Sequence, residues 1–119
     1  MQNNAPLLVL NLPLLIQRLN KRNTGDQEKL SAIILLKRPE KQIVLAAFRE
    51  GTTMKSYQSN DSMTFQVIQG QLIFQTRKKS MILRNGQFLQ LYDKIKYSIT
   101  TNEETVFLIT YLNGELLPN

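Results

Sequence analysis

Hydrophobic and polar residues follow two different rhythms along this 119-residue chain. Near the amino terminus Leu12, Leu15, Ile16 and Leu19 recur at helical spacing. Pro13 sits where a first helical turn tolerates it, and Arg18, Lys21 and Arg22 load the end at which a helix dipole favours cations. These positions predict one short helix over residues 13–21, closed by the polar stretch Asn23, Thr24, Gly25, Asp26. From Leu30 onward the pattern changes to short runs rich in Ile, Val, Leu, Phe, Thr and Tyr, broken by Gly, Pro, Asn or Asp. That punctuation predicts nine strands, over residues 30–37, 42–49, 53–58, 63–69, 72–77, 80–83, 87–91, 95–100 and 105–112. So many short strands in one small chain fold as a closed barrel or a two-sheet roll.

The length suits one domain with one core. Residues 1–29 are expected to form a helical extension packing on a barrel made by residues 30–119. Several strands are apolar on both faces: Ile33 and Leu35 alternate with Ile34 and Leu36, and Phe107 and Ile109 with Val106 and Leu108. A small barrel buries only its inner face, so something must cover the outer one. The helix is expected to cover one part and a second copy of the chain the rest, which predicts a homodimer through the outer sheet face.

Fifteen Lys and Arg against nine Asp and Glu give a net charge of +6, which favours an anionic partner. The basic residues are dispersed, with no long basic run and no interleaved aromatic platform, which argues against nucleic acid. No run approaches membrane-spanning length, and residues 1–15 lack the basic start and small-residue cleavage site of a secretory leader. A chain without cysteine also has no disulfide staple, and a cytoplasmic location is expected.

The missing residue types limit the chemistry. With no histidine and no cysteine, the chain offers neither imidazole nor thiolate to a borderline or soft transition metal, so no metal site and no cofactor are expected. A Ser-His-Asp triad cannot be built. The nine carboxylates all fall in expected loops, turns or strand ends, where none is placed to pair with another inside a barrel. No catalytic residue is assigned.

The glycines carry a more specific signal. Gly51, Gly70 in Gln69-Gly70-Gln71, and Gly86 in Asn85-Gly86 each stand where a turn favours positive φ. The series Gly51, five residues, Tyr57, one residue, Ser59, three residues, Met63, six residues, Gly70 resembles the first motif of the cupin family. Gly86, five residues, Tyr92, one residue, Lys94, two residues, Tyr97, three residues, Thr101 resembles the second. Ile68-Gln69-Gly70-Gln71-Leu72 is similar to a hairpin common in small single-domain cupins, and the likeness extends over residues 30–112. The resemblance implies an all-β fold, a double-stranded β-helix or jelly-roll barrel, here with a short N-terminal helix. In that family the places of Tyr57, Ser59 and Tyr97 are held by metal-binding histidines and that of Met63 by a metal-binding glutamate. Here the spacing is kept and every ligand is replaced.

If the resemblance places Tyr57, Ser59 and Met63 inward, strand alternation turns Lys55, Phe65 and Val67 inward as well, and Tyr97 with Ile95 and Ile99. Arg49 is expected to share the inward face with Ile43, Leu45 and Ala47. The candidate pocket is therefore Arg49, Lys55, Tyr57, Ser59, Met63 and Tyr97. Tyr57 and Tyr97 either fill space left by lost metal ligands or orient a ligand with their phenols. Arg49 and Lys55 either hold a carboxylate, phosphate or sugar acid, or reach water and rim carboxylates such as Glu50 and Asp61. The leading expectation is a metal-free, non-enzymatic domain that binds a small organic anion or serves as a dimeric scaffold. The alternative is a metal-independent isomerase or epimerase of sugars, a class whose cupin members usually keep a histidine base that this chain lacks.

Overall fold

The computed structural model describes residues 8–23, 30–58, 62–92 and 94–112, with the backbone alone for residues 22, 23 and 55–58. Among them one helix, α1 (Leu12–Asn23), precedes nine strands. These are β1 (Leu30–Arg38), β2 (Lys41–Phe48), β3 (Thr53–Gln58), β4 (Ser62–Gln69) and β5 (Gln71–Gln75), then β6 (Ser80–Arg84), β7 (Phe88–Leu91), β8 (Lys96–Thr100) and β9 (Thr105–Leu112). Each predicted strand is present, because the Gly, Pro and Asn breaks fall at its ends. The helix runs one residue earlier and two later than its spacing predicts. Its start is set by Asn11, whose side-chain oxygen accepts from the Leu14 amide at 3.2 Å as an N-cap.

The strands form two antiparallel sheets, ordered β1-β2-β9-β4-β7 and β3-β8-β5-β6. Neighbours such as β2 with β9 and β3 with β8 are far apart in sequence, so the chain crosses repeatedly from sheet to sheet, as a jelly roll requires. Between the sheets lies an apolar core containing Phe48, Phe65, Phe74, Phe107, Leu72 and Ile99. A second cluster lies on the outer face of the five-stranded sheet, where Leu19 of α1 meets Leu45, Ala47 and Val106. Leu19 and Leu45 are both completely buried there.

This second cluster corrects one expectation. Ile43, Leu45 and Ala47 were expected to face the barrel interior, but Leu45 and Ala47 pack under the helix, while Ala46 and Phe48 enter the barrel core. A strand apolar on both faces carries no alternation from which its inner side can be read. The helix decides the matter by covering the face that holds Leu45 and Ala47. The same cluster buries Val106 and takes in Leu108, so part of the outer face of β9 is covered there.

Strand β1 is the edge of the larger sheet, which has one strand more than the sheet it faces. Leu30 and Ile34 pair with Phe48 and Val44 and so carry the barrel-side parity. Nevertheless Leu30 is 43% and Ile34 54% exposed. Ile33 and Leu35, on the opposite parity, pack toward the helix cluster, and past Ile34 the register shifts so that Leu36 pairs with Ile43.

Candidate functional site

The connections between strands alternate between the two ends of the barrel. One end carries the turns at residues 49–52, 70, 85–87 and 101–104, and its geometry is tied down by the glycines. Gly70 has φ +98, and a Cβ there would meet the Glu104 carbonyl oxygen at 2.5 Å and the Thr105 hydroxyl oxygen at 2.6 Å. Both conformation and space therefore demand glycine. Its amide donates to the Asn85 side chain at 2.8 Å. Beside it the buried Thr105 hydroxyl accepts from the Gln71 amide at 3.1 Å.

Gly51, first residue of the first motif, donates its amide to the carbonyl of Thr101, last residue of the second, at 2.9 Å. The Thr101 amide in turn donates to the Thr52 carbonyl at 3.0 Å. The hydroxyls of Thr52 and Thr101 both donate to the Arg49 carbonyl, at 2.6 and 2.9 Å. The two motifs are thus joined through backbone at this end.

Arg49 belongs to this end, beside Thr101, whereas Tyr97 begins the far part of β8 and pairs with Tyr57. The expectation that Arg49 shares an inward face with the other candidates is therefore corrected: it lies past the end of β2, on the parity that packs under the helix, and is half-buried in the turn. Met63 and Tyr97 do come together, both buried in the barrel core with Phe65 and Ile99. The side chains of Lys55 and Tyr57, and all of Ser59, lie outside the described residues. Met54, paired with Ile99, packs against the core, and the register then shifts before Tyr57 meets Tyr97, so simple alternation does not run through Lys55.

Tyr97 stacks on Phe74 with ring centroids 5.2 Å apart and planes 9° apart, and meets Phe65 edge-on at 5.5 Å. Phe65 meets Phe74 at 5.4 Å, and Phe48 closes on Phe107 at 5.1 Å. Such offset and edge-on arrangements suit the ring quadrupoles and pack the core with aromatic surface. The position where the second cupin motif has its metal-binding histidine is thus held by a phenol ring built into the core. Where the motif has glutamate, Met63 is 2% exposed.

These residues do not fit the metal that the motif spacing implies. Tyr57, Ser59, Met63 and Tyr97 offer no imidazole and no carboxylate. Among the described residues no buried side-chain nitrogen or oxygen lacks a hydrogen-bond partner, and no group of three His, Cys, Asp or Glu is placed to hold an ion. The described carboxylates, Glu40, Glu50, Glu103 and Glu104, are all exposed and in turns or the residues flanking strands, as their sequence positions led us to expect. No helix among the described residues is long and apolar enough to cross a membrane.

The opposite end of the barrel carries the turn at residues 76–79 and the approach to β8. There Gln75, Thr76 and Arg77 together with Lys96, Tyr97 and Ser98 line an open cleft of about 320 Å³. A second hollow of about 490 Å³ adjoins it, lined by Thr76, Arg77, Lys78, Ile95 and Lys96. The turn is held by Thr76, whose hydroxyl accepts from the amides of Lys78 and Lys79 at 3.2 and 3.1 Å. Sequence reading missed Arg77, Lys78 and Lys96 as a group because about twenty positions separate them along the chain. Pairing of β5 with β8, Gln75 opposite Ser98, brings them side by side.

No protein-family model matches the sequence, and comparison with curated proteins finds no match. Solved structures do match in shape. A cupin superfamily protein from Desulfitobacterium hafniense is 14% identical, with 95% of this chain and 94% of that one covered, at a TM-score of 0.70. The cupin domain of Schizosaccharomyces pombe Cnp3 is 17% identical over 81% of this chain and 73% of that one, at 0.68. An RmlC-like cupin from Shewanella frigidimarina is 13% identical over 75% and 82%, at 0.66. At such identities the likeness is one of architecture. Together with the two joined motifs and the paired antiparallel sheets, it establishes that this chain has the cupin fold, an RmlC-like jelly roll with a helix laid on its outer face.

Proposed function

We propose that this protein is a metal-free, non-enzymatic cupin-fold module that binds a small organic anion. The observation that carries the reading is the fate of the family's metal-binding positions: Tyr97 is stacked into the aromatic core and Met63 is buried in the same core, so both serve packing. The anionic class of the ligand is supported by the charge, since the chain carries a net +6 and cations line a surface cleft at one end of the barrel. The reading is tested by native mass spectrometry and elemental analysis of protein purified from its host. A co-purifying acidic small molecule with no stoichiometric transition metal is expected. A bound iron, zinc or manganese at one ion per chain would overturn it.

We also propose a homodimer, for which the apolar surface of edge strand β1 is the support. Leu30 and Ile34 lie on its barrel-side parity yet are largely exposed, and apolar side chains in such a place favour a partner.

A further inference from the structure

We infer that the ligand site lies in the cleft between the β5–β6 turn and the start of β8, with Arg77 and Lys96 as its anion-binding residues, and that it takes a small organic molecule bearing a carboxylate or phosphate. The inference rests on the proposed binding function and gives it a location. It differs from the expectation that Arg49 anchors the ligand, since Arg49 sits at the other end of the barrel.

Three observations converge on the cleft. The first is its charge. Arg77, Lys78 and Lys96 line the two adjoining hollows, and no carboxylate of the described residues lines either one. Cations gathered on one shallow surface repel one another and are stabilised by an anion between them. The second is its geometry. Arg77 stands on a short turn fixed by the Thr76 hydroxyl, while Lys96 stands on a strand locked to its neighbours through the pairs of β8 with β3 and β5. The two cations are therefore presented by separate, internally braced elements. A guanidinium adds a planar fork suited to a carboxylate or phosphate.

The third is the remaining lining. Thr76, Ser98 and Gln75 offer neutral hydrogen-bonding groups, and Ile95 offers an apolar wall. A bare inorganic ion would use the cations alone. An organic anion would also use the hydroxyls, the amide and Ile95, which is why the organic class is chosen. Tyr97, whose ring is stacked in the aromatic core, also borders the cleft, so the core and the ligand site meet at one residue.

The test is an NMR titration of the full chain with citrate, glucose 6-phosphate, inorganic phosphate and glucose, repeated on R77A/K96A and on R84A, whose exposed cation lies at the other end of the barrel. Saturable shifts at the amides of Thr76, Arg77, Lys96 and Ser98 are expected with citrate or glucose 6-phosphate, and the stronger of the two identifies carboxylate or phosphate as the preferred group. Binding should weaken at least about tenfold, or 1.4 kcal/mol, in R77A/K96A and stay unchanged in R84A. Comparable thermal midpoints for the variants establish that folding is retained. Absence of saturable shifts with every anion up to about 10 mM would overturn the inference, since the affinity would then be worth under about 3 kcal/mol. Inorganic phosphate binding as tightly as the organic anions would overturn the organic class, and displacement of them by a single-stranded oligoribonucleotide would overturn the small-molecule class. A co-purified acid contacting other residues would remove the cleft while leaving the metal-free binding function standing.

Discussion

The rings of Tyr97 and Phe74 stack with an offset, their centroids 5.2 Å apart and their planes within 9° of parallel, on neighbouring strands of the smaller sheet. A residue at a position that the family's motif reserves for a metal ligand is thereby part of the hydrophobic core. Tyr97→Ala should cost about 3–5 kcal/mol of stability through lost burial and the cavity left behind. Tyr97→Phe keeps the ring and should cost about 1 kcal/mol. Urea denaturation of both variants measures the difference. Equal losses would mean that the hydroxyl, and not the stack, is what matters.

Gly70 and Gly86 both have positive φ, but a Cβ at Gly86 meets nothing within 4 Å while one at Gly70 runs into the Glu104–Thr105 backbone. Gly86→Ala should therefore cost about 1–2 kcal/mol, the strain of a left-handed alanine alone. Gly70→Ala should cost about 3 kcal/mol or more, because backbone must also move. Thermal or chemical unfolding of the pair provides the check.

Thr101 is completely buried and donates its hydroxyl to the Arg49 carbonyl. Thr101→Val keeps the shape and deletes the donor, so about 1 kcal/mol should be lost. Hydrogen exchange of the Gly51 and Thr101 amides should accelerate in the same variant, since both bonds that join the two motifs lie beside the deleted one. Unchanged exchange would show the joint to be held by backbone alone.

Chelation should leave the protein's thermal midpoint where it was. A metal bound at a hundred times its dissociation constant stabilises a fold by about 2.7 kcal/mol, so its removal would be visible as a clear fall in the midpoint. Differential scanning calorimetry with and without EDTA makes the comparison.

Light scattering should give the mass of a dimer for the wild type, and that of a monomer for Ile34→Glu. Ile34 is 54% exposed, so a carboxylate there is harmless to the isolated fold but unfavourable inside an apolar contact. A wild-type monomer at micromolar concentration would rule the dimer out.

Much of the fold is legible in the sequence because turns announce themselves. Gly51, Gly70 and Gly86 mark turns on one end of the barrel, and the runs between the breaks are rich in β-branched and aromatic residues. Inner and outer faces are legible where a strand alternates: Phe65 and Val67 on β4 and Ile99 on β8 enter the core as their spacing predicts. On β2 every residue from Ile43 to Phe48 is apolar, so the inward set cannot be told from the outward one until the helix lands on Leu45 and Ala47. The placement of Arg49 fails for that reason. In the candidate site, Met63 and Tyr97 are legible from motif spacing. The cationic cleft is not, because its two sides meet only through the long-range pairing of β5 with β8. Lysines and arginines that look scattered along the chain become neighbours in space.

The alternation of connections divides labour between the poles of the roll. One pole is cinched by Gly51, Gly70, Thr101 and Thr105, where small changes in shape propagate into the backbone of both sheets. At the other pole Arg77 and Lys78 ride on a short turn whose bonds are its own. Selection, or a designer, can accordingly rewrite what the cationic pole recognises while the cinched pole keeps the molecule folded, so that specificity and foldability are free to evolve on separate schedules.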